Sequence, residues 1–250
     1  MYEFPSFVYL DMEKTGSTFI FHMLENFASE DAIQRNHHMP MPADCDRSKF
    51  YFISVRDPLD AYISLYSFGC QAQGKVFAKL SRRGLGDHYD GTTEGFNSWL
   101  AMTLKKRNAE FVAGDRIGDS EIGELLGPQS YRYLRLAVPD ARERLDQCTT
   151  RKDILALYES EKLPGFVVRH ESFTSDLCAL LRGPLRPWIT DVDAAAKFVE
   201  TTKPRNVSKR IDKENIDFAI KPRLLRRLRE REWFLNELFG YCEHGSAPRA

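Results

Sequence analysis

Apolar residues fall along the chain in short blocks separated by polar turns, and the spacing inside each block assigns it. FVYLD (residues 7–11) is a brief apolar run closed by an aspartate, the length of a buried strand. STFIFHMLENF (17–27) places Phe19, Ile20, Met23, Leu24 and Phe27 at helical spacing, with Ser17 or Thr18 expected to help cap it. KFYFISV (49–55) is the clearest strand, rich in aromatic and branched side chains and stopped by Arg56-Asp57-Pro58. PLDAYISLYSF (58–68) reads as a helix with proline in its first turn, where a missing N–H costs nothing. FVVRH (166–170) is a third strand that leads through Glu171-Ser172 into a helix, TSDLCALL (174–181). Residues 191–200 and 222–241 are further helices, the last one long, with leucines and Trp233 on a broad face and arginines opposite.

The intervening segments are less regular. RNHHMPMPADC (35–45) carries two prolines and reads as a connector. Residues 71–95, dense in Gly, Lys and Arg, are predicted to be a mobile surface loop, and EGFNSWLAMTLKK (94–106) starts a helix. Residues 108–150 show no clear period; within them GDRIGDSEIGELLGPQS (114–130) is expected to be loop with short helical pieces, and KPRNVSKRIDK (203–213) a basic loop. Strands separated by helical segments predict an α/β fold with a mainly parallel sheet flanked by helices. No internal repeat or linker interrupts the 250 residues, so one domain spanning 1–250 is expected.

Composition narrows the function classes. Charged residues are 29% and hydrophobic residues 42%, as in an ordinary folded protein. The formal net charge of zero argues against a general nucleic-acid binder but leaves room for a local basic pocket. No apolar run approaches the ~18 residues of a membrane span. MYEFPSF has neither a basic start nor an apolar core, so a cytoplasmic location is expected. The five cysteines are scattered with no CxxC spacing, which predicts reduced thiols and no zinc site.

The first strand-to-helix turn carries the chemistry. DMEKTGSTFI (11–20) packs Lys14, Gly16 and three hydroxyl residues, Thr15, Ser17 and Thr18, between strand and helix. A helix start presents unsatisfied N–H groups and a partial positive charge. Lys14 adds a full charge, Gly16 lets the backbone approach closely, and the hydroxyls add donors. The turn therefore predicts an oxyanion site, for phosphate or sulfate. The triphosphate-binding order GxxxxGK[ST] is not met, because the lysine precedes the glycine. Asp11 is the one nearby aspartate at a strand end, and it lies too early to serve as a magnesium ligand of that motif.

The order Lys14-Thr15-Gly16-Ser17-Thr18-Phe19 resembles the loop of PAPS-dependent sulfotransferases that binds the 5′-phosphosulfate of 3′-phosphoadenosine 5′-phosphosulfate (PAPS). FISVRDPLDAYISLYSF resembles that family's 3′-phosphate signature, with Arg56 at a strand end and Ser64 eight positions later on the next helix. Arginine forks readily onto phosphate, and Ser64 offers a hydroxyl. The resemblance is dense over 6–68, looser over 162–173 and 200–241, and essentially absent over 71–160, the region where family members differ in acceptor recognition. It implies a P-loop-like three-layer fold, PAPS as co-substrate without a metal, and a small-molecule or carbohydrate acceptor bearing a hydroxyl or amine. It also implies a late basic segment over the 3′-phosphate, for which Arg205, Ser208, Lys209 and Arg210 are candidates, as is a solvated basic loop.

Sulfuryl transfer needs a cation near the bridging oxygen, donors around the sulfuryl oxygens and a base. Lys14 suits the first role and the N–H groups of residues 16–19 the second. A histidine before the second strand in a His-x-Pro pattern is the family's base for hydroxylated acceptors. His38-Met39-Pro40 matches, with His37 beside it as the alternative. His22 and Glu25 on the first helix compete for the role, and His170 after the third strand is expected to be structural or pocket-lining. A kinase-like nucleotide enzyme and a nucleotide-binding protein without turnover are the other readings.

Overall fold

A computed structural model of the chain describes residues 1–115, 117–202 and 219–241. Two of the three expected strands form within a residue of their predicted limits, as β2 (Phe7–Leu10) and β4 (Phe50–Val55). The third is β5 (Pro164–Arg169), which starts two residues early. They are parallel neighbours, with β4 in the middle: Phe7 to Leu10 pair with Phe50 to Ile53, and Phe52 to Val55 pair with Phe166 to Arg169. Two two-residue strands extend this core, β1 (Tyr2–Glu3) antiparallel to β2 and β3 (Gln34–Arg35) antiparallel to β1. The order is β3-β1-β2-β4-β5, so the sheet is mixed rather than mainly parallel. The antiparallel strands are too short for an alternating pattern to reveal them.

The α/β class holds, and the helices among the described residues number thirteen. They are α1 (Ser17–Phe27), α2 (Pro58–Gly69), α3 (Gly74–Arg82), α4 (Thr93–Thr103), α5 (Ala109–Ala113), α6 (Ile122–Leu125) and α7 (Pro128–Ala137). The others are α8 (Ala141–Leu145), α9 (Arg151–Glu161), α10 (Phe173–Arg182), α11 (Val192–Thr201), α12 (Pro222–Arg231) and α13 (Trp233–Phe239). Two of the expected segments differ. The supposed loop 71–95 contains α3, which buries Val76 and Leu80 four residues apart. The described part of 114–130 is loop with short helical pieces as expected, among them α6, while α5, α7 and α8 account for much of the rest of 108–150. The long terminal helix is broken into α12 and α13 at Glu232.

The chain divides into two compact units, each assembled from separate stretches. The first comprises residues 1–56, 133–145 and 154–207 and holds the sheet. Its core joins Phe7, Tyr9 and Phe52 of the strands to Phe19, Ile20, Met23 and Leu24 of α1, with Leu177, Leu180 and Leu181 of α10 and Ala195, Ala196 and Val199 of α11. The second comprises residues 57–132, 146–153 and 208–250 and is helical where described. Its core is aromatic, centred on Tyr62, Tyr66, Phe96 and Trp99.

Within the second unit, the break at Glu232 has a clear cause. Its fully buried carboxylate accepts from Tyr62 Oη (2.7 Å), the N–H groups of Gln129 (3.1 Å) and Ser130 (2.8 Å), and Ser130 Oγ (2.8 Å). An anion thus satisfies the start of α7, where orphan N–H groups and the helix dipole favour it.

Candidate functional site

Parallel pairing brings the carboxyl ends of β2, β4 and β5 to one edge of the sheet, where α/β proteins bind ligands. Three segments meet there: the turn 11–16 after β2, Arg56 after β4, and His170–Ser172 with Phe173 after β5.

The turn is built by two left-handed residues, Lys14 (φ 67°) and Gly16 (φ 92°). A lysine in this region carries backbone strain of about 1–3 kcal/mol, so the surroundings must hold it there. The hold is a buried hydroxyl chain. Thr15 Oγ1 donates to the Met12 carbonyl (2.7 Å) and lies 2.6 Å from Ser54 Oγ, which in turn lies 2.6 Å from Tyr9 Oη. The turn is thereby pinned to both β2 and β4. The Thr15 side chain is fully buried in that task, which leaves only its main chain to face a ligand.

Gly16, not Ser17 or Thr18, is the N-cap of α1, and no side chain caps the helix. Its carbonyl accepts from Phe19 N (3.0 Å) and Ile20 N (3.2 Å). Among the described residues no acceptor takes the N–H groups of Gly16, Ser17 and Thr18. The Phe19 N–H is spent in the turn, and its ring is core, 5.6 Å from the rings of Phe173 and Phe198. A Cβ at Gly16 would sit 2.6 Å from Phe173 Cε2, so the position is closed to any side chain by space as well as by φ.

Arg56 is buried and brings its guanidinium to the same turn, with Nη1 donating to the Lys14 carbonyl at 3.3 Å. Burial holds the Lys14 ammonium below its ordinary pKa; Glu13 pulls it back up, and the Arg56 charge pushes it down again. Two cations are therefore held together at the start of a helix. Ser64 lies half-buried on α2, in the second unit. Arg205, Ser208, Lys209 and Arg210 lie outside the described residues.

The connector 35–45 brings both candidate bases to Asp11, at the foot of the same turn. Asp11 is fully buried. Its Oδ1 accepts from His38 N (3.0 Å) and from the Met1 amine, and its Oδ2 lies 3.2 Å from His37 Nδ1. His38, itself left-handed (φ 57°), turns its ring so that Nδ1 donates to the Asp11 carbonyl at 2.7 Å. In the neutral ring that bond places the hydrogen on Nδ1 and the lone pair on Nε2. His37 is more exposed and also touches Tyr2 Oη, 2.7 Å from Nδ1. The two competitors are engaged elsewhere: His22 packs against Phe198 (5.5 Å between rings) and bonds Asn26, and Glu25 pairs with Arg35 at 3.0 Å. His170 lines an open groove of about 730 Å³ with Glu171, Phe173, Cys178, Arg182 and Glu200. Phe173 thus borders both the groove and Gly16.

Sequence reasoning passed over Tyr2, Ser54, Phe173 and the anchoring role of Asp11. Asp11 had a visible signal, a lone carboxylate ending an apolar strand; the other three are recognisable only from strand pairing and long-range packing. No family model, curated protein or solved structure matches the chain. No helix among the described residues is long and apolar enough to cross a membrane.

Proposed function

We propose that this edge binds PAPS, in a P-loop-like arrangement, and transfers its sulfuryl group to a hydroxyl or amine acceptor. The observation that carries the reading is the pair of cations on one turn, with Arg56 Nη1 3.3 Å from the Lys14 carbonyl beside the open N–H groups of α1. Two positive charges drawn together beside the start of a helix favour an anionic ligand. The order of residues in the turn and the arginine after the central strand are those of the sulfotransferase resemblance, which the site chemistry suits.

In this reading Lys14 neutralises charge on the oxygen bridging phosphorus and sulfur. The N–H groups of Gly16, Ser17 and Thr18 surround the sulfuryl oxygens, and Arg56 takes a phosphate of the nucleotide. His38 Nε2 accepts the proton of the acceptor O–H as its oxygen attacks sulfur. The bond from sulfur to the bridging oxygen breaks, the electron pair leaves with that oxygen, and adenosine 3′,5′-bisphosphate departs. Positioning and preorganised charge supply the catalysis. The groove beside Phe173 gives room for the organic part of a ligand next to the anion turn.

Transfer of labelled sulfate from PAPS to a panel of phenols, alcohols, sugars and amines tests the reading. The wild type sulfates at least one of them, and His38→Ala lowers turnover by ~100-fold or more with nucleotide affinity little changed. Full turnover in His38→Ala with loss in His37→Ala moves the base to His37. Nucleotide binding with no acceptor sulfated supports the binding-only reading instead.

A further inference from the structure

Asp11, His37 and His38 each offer a ligand atom, and the three atoms lie within 4.8 Å of one another. Asp11 Oδ2 is the hub, 3.2 Å from His37 Nδ1 and 3.3 Å from His38 Nδ1. Ligand atoms bound to one zinc ion at ~2.0–2.1 Å in tetrahedral geometry stand ~3.3 Å apart, which is the spacing of both edges. The carboxylate is also oriented for the task. Oδ1 is occupied by the His38 N–H (3.0 Å) and the Met1 amine, so Oδ2 is the oxygen turned to the two rings. Outer donors of this kind fix a metal ligand's direction. His38 is left-handed (φ 57°), and the two successive residues both present Nδ1 to this oxygen. His37, with 60% of its side chain exposed, leaves the cluster open to solvent, while Asp11 anchors it from inside.

We infer that Asp11, His37 and His38 form a binding site for a borderline first-row divalent cation, zinc(II) foremost. Two imidazoles and one carboxylate suit zinc, cobalt(II) or nickel(II) rather than magnesium or calcium. Three protein ligands leave at least one position for water. Cysteine spacing predicts no zinc site, and this cluster uses no cysteine.

Occupancy has a consequence that rests on the proposed function. To ligate through Nδ1, His38 gives up its bond to the Asp11 carbonyl and carries its hydrogen on Nε2. The lone pair that would take the acceptor proton is then gone, so the metal inhibits sulfuryl transfer rather than assisting it.

Titration of the full chain with zinc(II) by calorimetry, and with cobalt(II) by visible absorption, tests the site directly. One equivalent should bind, and cobalt should give the intense bands of a low-symmetry site. Loss of an outer partner alone costs ~10–100-fold in metal affinity, so His37→Ala and Asp11→Asn should each weaken binding by at least about tenfold. His37→Ala is the safer variant, because Asp11 is buried. Absence of stoichiometric binding, or equal affinity in wild type and His37→Ala, overturns the site. In a transfer assay zinc should slow the wild type in step with occupancy. Metal binding without inhibition would leave the site standing and remove His38 as the base.

Discussion

At Lys14 the chemistry of one residue sets a pH dependence. Its ammonium is held below the ordinary value of 10.5 by burial, with Glu13 opposing and Arg56 reinforcing the shift. On the proposed function the charged form binds the nucleotide's anion, so affinity is present below the lowered pKa and is lost as pH rises through it. Adenosine 3′,5′-bisphosphate affinity measured across alkaline pH should therefore fall before the range of an ordinary lysine. Lys14→Arg, with a group that stays charged above pH ~12, should flatten that fall. Gly16 is the other sharp residue. Gly16→Ala must adopt a φ of 92° and meets Phe173 at 2.6 Å, so denaturant melts should show a loss of about 1–3 kcal/mol. Adding Phe173→Leu should recover the clash but not the backbone strain. That a turn through Lys14 and Gly16 joins β2 to α1 was legible from the sequence alone. The hydroxyl chain through Thr15, Ser54 and Tyr9 was not, because it depends on which strands pair.

Among the elements, those with strong periodicity were the most legible. Helix α1 forms over the predicted residues, and β2 and β4 lie within one residue of expectation. Density of Gly, Lys and Arg masked α3, although its Val76 and Leu80 already stood four apart. The break between α12 and α13 was hidden for another reason. Glu232 fits the polar face of a continuous amphipathic helix, and only the approach of α7 draws its carboxylate inward. Glu232→Gln keeps the shape but leaves an amide where a buried anion accepted four donors. A stability loss of about 1–3 kcal/mol is expected in urea unfolding. Gly127→Ala tests the same contact from the other side, since its Cβ would lie 2.4 Å from the Glu232 carboxyl carbon.

Across the whole molecule, the α/β class followed from strands alternating with helices. The division into two units woven from separate stretches did not, because it rests on contacts between segments far apart in sequence. A ligand bound only by the folded chain stabilises it by mass action, by ~2.7 kcal/mol at a concentration 100 times its dissociation constant. Adenosine 3′,5′-bisphosphate should raise the melting temperature accordingly, and ATP with magnesium should do so far less. The most direct test of the nucleotide site is calorimetry of adenosine 3′,5′-bisphosphate against ATP–magnesium, with wild type, Lys14→Ala and Arg56→Ala. One tight site for the bisphosphate, weak or absent binding of ATP–magnesium, and marked loss of affinity in both variants are expected. Unchanged affinity in the two variants, or a preference for ATP–magnesium, would contradict the nucleotide site.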